Sequence, residues 1–365
     1  MSFPLPQAEP ASLGLDPARV ERLCAAVAAD VAAGGSKGAQ VALARHGKLA
    51  LHRSFGEAAR GVPARDDHLW LIYSNTKVMT AAGLWLLAEE GALRLTDPVA
   101  KHLPGFEAGG KGEITFVELL THQAGFPDAV VPPEAWEDAE LLRRTVCGFA
   151  LQWEPGGRMH YHPAAAHWVA AAVIRAVTGQ DHRAFLHRRI VAPLGLGAEL
   201  FVGLSEAEHG RAAAMHDPDG RERMPECSAA HRQAGVPGGG GYATARGMAA
   251  FYQSLLGYGP QAVSPRMVRY ATRDWTGGRV DESFGVPTWR GLGPQLRGPA
   301  PTSRGMGDIT HPGAFGHGGV GSSFCWGDPE SGLSFAYISN TRQEEEHHLA
   351  RLNRLGNLAS ACVAG

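Results

Sequence analysis

The chain is predicted to be an α/β protein: an antiparallel sheet flanked by helices, carrying an inserted, mainly helical domain. Three observations lead there. Short apolar, strand-like runs cluster towards the two chain ends, and a long block with helical patterning separates them. At the start of that block, residues 78–88 are apolar or small almost all the way round, as in a helix buried in a core. The sheet is therefore assigned to residues 1–70 and 236–365 and the helical domain to 71–235. A site is expected at their boundary, where pockets tend to form.

Each element has a local reason. Asp16-Pro17 is a helix start, an N-cap followed by proline in the first turn, and Gly34-Gly35 stops that helix near residue 33. Residues 39–45 and 48–55 read as two strands joined at His46-Gly47. After the 78–88 helix, Thr96-Asp97-Pro98 and Thr115 each signal a helix start. Further helices are expected over 136–149, 164–178 and 181–191. Residues 209–232 are polar and irregular, with a hairpin expected at 217–220. A glycine-rich loop, Val236-Pro-Gly-Gly-Gly-Gly241, precedes a helix over 243–256. Residues 275–312 are rich in Gly and Pro without periodicity; a loop that long is usually a wall or lid of a site. Strands at 314–317, 322–327 and 333–340 follow, the last two joined by a turn at 328–332, and a helix over 343–363 closes the chain.

Bulk properties exclude several classes. With 365 residues and a net charge of −2, the chain shows no basic stripe for nucleic acid and no polybasic run for a membrane surface. Five scattered cysteines without a Cys-x-x-Cys pair suit free buried thiols in a reduced compartment. The first residues have no basic segment followed by an apolar run, so a cytoplasmic location is expected.

The chemistry centres on Ser74-Asn-Thr-Lys77. Positions i and i+3 share a helix face, so the Lys77 ammonium reaches the Ser74 hydroxyl. Asn75 and Thr76 supply a polar helix start, which places Ser74 near a positive helix end. Only five lysines occur, and arginine carries most of the positive charge. Arginine cannot be deprotonated in a protein, whereas a lysine entering an apolar core can become a base. Ser-x-x-Lys thus reads as a nucleophile with its base, against the plainer alternative of a helix cap and a snorkelling lysine. Two further stretches bear on Ser74. Pro155-Gly-Gly-Arg-Met-His-Tyr161-His-Pro163 offers a phenol on a loop. Phe315-Gly-His317-Gly-Gly-Val-Gly-Ser-Ser-Phe324 offers backbone N–H groups to an oxyanion.

In order and spacing, Ser74-x-x-Lys77, Tyr161 after Pro-Gly, and His317-Gly-Gly at the start of a strand resemble the class C β-lactamase superfamily. Leu119-Leu-Thr-His-Gln-Ala-Gly125, Pro193-Leu-Gly-Leu196 and Asp328-Pro-Glu-Ser-Gly332 match it too. The resemblance covers roughly residues 14–360 and implies a β-lactamase/transpeptidase-like fold with a covalent acyl-enzyme mechanism. Members include β-lactamases, D-amino acid peptidases, penicillin-binding proteins, family VIII carboxylesterases and acyltransferases. By this likeness Ser74 is the nucleophile, Lys77 and Tyr161 form the acid–base pair, and the backbone N–H groups of Ser74 and Val320 form the oxyanion hole. His317, Gly318, Gly319, His162 and Asn340 would contact substrate, although Asn340 could equally cap a strand end. The chain departs from the lactamase pattern twice: Pro163 stands where Tyr-x-Asn has its Asn, and His317 where Lys-Thr-Gly has its Lys.

Other signals are weaker. Gly316-x-Gly318-x-x-Gly321 matches a dinucleotide fingerprint but runs into strand residues instead of a helix. His160-x-His162 lacks a third metal ligand with sensible spacing. His122 suits a hydrogen-bonded structural role. The expectation is a serine hydrolase of small acyl esters, with no cofactor or metal, a small-molecule acyl substrate, and no nucleic-acid or membrane partner. An amide-directed relative, an acyltransferase and a catalytically silent binding protein are the rivals.

Overall fold

A computed structural model describes residues 3–300 and 305–364. Helix α1 (Pro17–Ala32) begins where Asp16 accepts hydrogen bonds from the N–H groups of Ala18 and Arg19. Strands β1 (Gly38–Arg45) and β2 (Lys48–Ala59) form the expected hairpin, and β3 (Val62–Pro63) pairs with the end of β2. Strand β4 (Trp70–Tyr73) leads into α2 (Thr76–Glu89).

The helical block is less regular than its sequence pattern suggests. No α-helix follows Thr96-Asp97-Pro98; Val99–Lys101 is a single 3₁₀ turn. The Asp97 carboxylate turns back to the N–H of Arg94 and accepts from the side chains of Lys101 and His102, instead of capping the backbone N–H groups ahead. Helix α3 (Phe116–Leu120) has the full capping box of Thr115 and Glu118. Helix α4 (Ala139–Cys147) starts later than expected because Asp138 takes the N-cap. Helix α5 (Ala165–Thr178) ends at Gly179, and α6 (His182–Leu186) continues into a π-helical turn, His187–Val191. Strand β5 (Leu200–Val202) follows. Within 209–232, the turn at Asp217 is present, and two short helices missed by the sequence reading follow it: α7 (Met224–Cys227) and α8 (Ala229–Ala234).

Ala243 belongs to β6 (Gly241–Ala243), and α9 (Ala245–Leu255) begins only after Thr244 caps Gly247. Ser264 caps α10 (Pro265–Ala271), also unanticipated. The expected long loop carries four two-residue strands: β7 (Val280–Asp281), β8 (Val286–Pro287), β9 (Trp289–Arg290) and β10 (Gln295–Leu296). Part of that stretch, 301–304, lies outside the described residues. Strands β11 (Phe315–Gly319), β12 (Ser323–Gly327) and β13 (Leu333–Ser339) and helix α11 (Glu345–Ser360) end the fold.

Eight strands form the main sheet, in the order β3-β2-β1-β13-β12-β11-β10-β9. Its centre joins the two ends of the chain, with β1 antiparallel to β13 and Ala42 opposite Ala336. Both faces of β1 are covered. Val41 and Leu43 pack with α1 and α11, while Ala42 and Ala44 pack with α9, as the two-residue repeat of a strand requires. A smaller sheet, β4-β6-β5, touches β11 and β13 of the main sheet through β4 and delivers the chain to α2. Helix α2 is buried from Thr76 to Leu87, within the largest core. All five cysteines are unpaired. Among the described residues no helix is long and apolar enough to cross a membrane.

Candidate active site

Ser74 sits on the turn between β4 and α2, half-buried at the floor of a cleft of about 630 Å³. The preceding residue, Tyr73, has φ +43°, a left-handed conformation rare for a bulky side chain. Its carbonyl accepts from Thr76 Oγ1 at 2.6 Å, and its phenol donates to Glu226 at 3.1 Å, so the strained residue is held at both ends. Asn75 occupies the N-cap of α2 but does not cap it. Its amide donates to the Ile72 carbonyl and to Ser323 Oγ, tying the turn to β12.

Lys77 is wholly buried one helical turn beyond Ser74. Its Nζ lies 2.9 Å from Ser74 Oγ, 2.7 Å from the Pro163 carbonyl and 2.6 Å from the Gly238 carbonyl. The glycine-rich loop thus brings a bare backbone against the amine. Burial, with a smaller push from Arg290, holds the Lys77 pKa well below the usual lysine value. Tyr161 donates to Ser74 Oγ at 2.9 Å. Burial pushes its phenol up to about 12.

The loop bearing Tyr161 is fastened on both sides. The N–H of His160 donates to the His122 carbonyl, and that of His162 donates to His122 Nδ1. The N–H of Tyr161 itself donates to Asp281 Oδ1 at 3.1 Å. His122 therefore has the structural role expected of it, and its φ of +62° lets carbonyl and ring serve the same loop.

On the opposite wall, His317, Gly318, Gly319 and Val320 line the cleft. Gly319 permits this approach: a Cβ there would lie 2.5 Å from the Ile72 carbonyl oxygen. Among the described residues the N–H groups of Ser74 and Val320 donate to no protein acceptor, and both residues line the cleft. His317 donates from Nδ1 to the Gly318 carbonyl at 2.9 Å; burial holds its pKa at about 3, so the ring is neutral.

Two expected substrate contacts lie elsewhere. His162 alternates with Tyr161 along an extended segment and faces the core, where its Nε2 accepts from the N–H of Phe126 and its Nδ1 donates to the His160 carbonyl. Asn340 is buried and caps strand ends: Oδ1 accepts from Gly38, and Nδ2 donates to the Glu57 and Ala58 carbonyls. The sequence reading also missed two residues beside Tyr161. Asp281 and Arg290 form a buried ion pair at 2.8 Å. Their segment was expected to wall a site, but no motif singles either one out.

The site thus brings together a serine oxygen, a buried lysine and a phenol beside backbone N–H groups that face the cleft. The beta-lactamase family profile matches residues 23–358, and the chain belongs to that family. It is 28% identical over 328 residues to the esterase/beta-lactamase LipL of Mycobacterium tuberculosis, covering 79% of this chain and 73% of LipL. A family VIII carboxylesterase structure superposes with a TM-score of 0.83 at 28% identity, covering 95% of this chain and 98% of the other. A penicillin-binding protein homolog from Caulobacter crescentus gives a TM-score of 0.82 at 29% identity, covering 96% and 99%.

Proposed function

We propose that the protein hydrolyses small acyl esters through a covalent acyl-enzyme on Ser74. One observation carries this reading: Ser74 Oγ lies 2.9 Å from both Lys77 Nζ and Tyr161 OH. A neutral amine has two N–H bonds. The Pro163 and Gly238 carbonyls take both, which leaves the nitrogen lone pair for the Ser74 proton. As Ser74 attacks the ester carbonyl, its proton passes to Lys77, and the backbone N–H groups of Ser74 and Val320 receive the oxyanion. The C–O bond to the alcohol then breaks and Tyr161 gives the departing alkoxide its proton. Lys77 then passes the proton taken from Ser74 to the neighbouring phenolate, which restores both groups. Water repeats the sequence to release the acid.

The preference for esters rests on Pro163 and His317. A lactamase needs a donor for the acylamido carbonyl, and a proline side chain has none. It also needs a cation for the ring carboxylate, and His317 is neutral. Each lost contact is worth roughly 1.5–3 kcal/mol, so two would cost on the order of 10²–10⁴ in kcat/KM. A small ester requires neither. The name of the family VIII carboxylesterase agrees with this preference, whereas LipL is named as both esterase and beta-lactamase.

The test has two arms. A fluorophosphonate should add once, to Ser74, and not to Ser74→Ala; a wild-type protein that takes no label would favour the silent binding protein. A short-chain p-nitrophenyl ester should then exceed a cephalosporin in kcat/KM at one pH. The reverse order would mean that other cleft residues, such as Arg342, hold a carboxylate and that the substrate is an amide or lactam.

A further inference from the structure

Taking Lys77 and Tyr161 as base and acid, as above, we propose that the buried Arg290–Asp281 ion pair is a positioning device for the Tyr161 phenol. In this role Asp281 fixes the backbone of Tyr161, and Arg290 supplies the fixed positive charge facing its ring.

The pair is an expensive feature to keep. Arg290 and Asp281 are 2% and 0% exposed at their side chains, and the N–O distance is 2.8 Å. Burying two charges is often no better than burying apolar residues of the same size, so packing alone does not account for it. Both carboxylate oxygens are used. Oδ2 accepts from Arg290, and Oδ1 accepts from the N–H groups of Tyr161 and Ser283. The surrounding segment is stitched to the same loop: the N–H of Glu282 donates to the Met159 carbonyl, and Arg279 donates to the Gly156 and Gly157 carbonyls. The guanidinium carbon lies 5.4 Å from the Tyr161 ring centroid, and Arg290 also reaches the cleft wall.

Other groups face this phenol. Helix α2 presents Ser74 and Lys77, the latter with Nζ 5.1 Å from the ring centroid. His122 lies 4.6 Å away and His317 6.0 Å, and both imidazoles are held neutral by burial. Phe284 covers the remaining side. With Lys77 a free amine at rest, Arg290 is the lasting cation in this set. When Tyr161 gives its proton to the leaving alkoxide, the phenolate faces that cation until Lys77 returns the proton taken from Ser74. The same cation opposes protonation of Lys77 and so keeps the base free.

The test is kcat and KM for a short-chain p-nitrophenyl ester from pH 5 to 10 on the full chain. Arg290→Gln alone would strand a buried carboxylate, so the deciding variant is Arg290→Gln with Asp281→Asn, which removes both charges. Its folding is checked by circular dichroism. Without the cation, Lys77 holds its proton to higher pH, so the acid limb of kcat should move up by about one pH unit. Maximal kcat should fall roughly 10- to 100-fold, with KM little changed. Arg290→Lys should restore the limb but only part of kcat, because an ammonium lacks the planar fork that meets Asp281. A folded double variant with the wild-type limb and kcat would overturn the proposal. So would a raised KM with the limb unmoved, which would make Arg290 a substrate contact. Wild-type turnover in Tyr161→Phe would instead overturn the acid–base assignment, and this role with it.

Discussion

Ser74, Lys77 and Tyr161 meet at one oxygen, and the role of each depends on what its neighbours leave available. Lys77 is buried against two carbonyls, and that burial lowers its pKa from the usual lysine value, as the proposed base requires. Lys77→Arg should therefore be as inactive as Lys77→Ala, with kcat/KM down by on the order of 10²–10⁴. An Arg variant near wild-type rate would mean that a fixed charge suffices. Tyr161→Phe should lose a comparable factor while its far-ultraviolet dichroism stays unchanged. This serine–lysine pair was legible in the sequence because three residues of helix bring it together. Asp281 and Arg290 were not, since 120 residues separate Asp281 from the Tyr161 N–H that it accepts.

Among the elements, length and periodicity made helices readable more than caps did: α2, α5 and α11 were expected, and none starts with a side-chain cap. Asp16 and Thr115 each signal a helix that is present, whereas the cap at Thr244 was overrun by a helix expected from residue 243. Asp97 gave the same signal falsely, because a carboxylate can turn back as easily as forward. Ser228 and Ser264 cap α8 and α10, yet helices of six and seven residues carry too little periodicity to be seen. The edge of β11 is where element placement sets chemistry. A methyl at Gly319 would meet both the Ile72 carbonyl oxygen and Ser323 Oγ, at 2.5 and 2.3 Å. Gly319→Ala should push the strand off the nucleophile turn and lower kcat/KM by about 10² or more, as for loss of an oxyanion donor. A folded variant with unchanged kcat/KM would show that the strand edge does not have to approach so closely.

Across the whole molecule, buried histidines set the response to acid. His122, His162, His167, His182 and His317 are all buried, and desolvation holds the pKa of each below the usual 6.5, to about 4 for His162 and about 3 for His317. The unfolded chain therefore takes protons first as pH falls through 6.5, and each ring destabilises the fold until the pH reaches its own lowered pKa. Five rings shifted in the same direction add their losses, so acid should destabilise this fold more than one buried imidazole could. The guanidinium chloride midpoint should thus fall steeply between pH 7.5 and 5.5. A flat midpoint would mean that these rings protonate inside the folded protein.

The pairing of Ala42 with Ala336 has a consequence for how the chain is made. At roughly 5–20 residues per second, β1 leaves the ribosome tens of seconds before β13 exists. During that interval its edge is open and Val41 and Leu43 still lack α11, while β2 can already pair with it. The nascent chain has every residue of the Ser74–Lys77 turn long before β11, the strand edge that faces it. Strand β11 joins the β1 hairpin only through β12 and β13, so the site should not form until synthesis has passed β13. Ribosome-bound chains halted before residue 333 should accordingly fail to react with a fluorophosphonate, and they present the surface that a holding chaperone would bind.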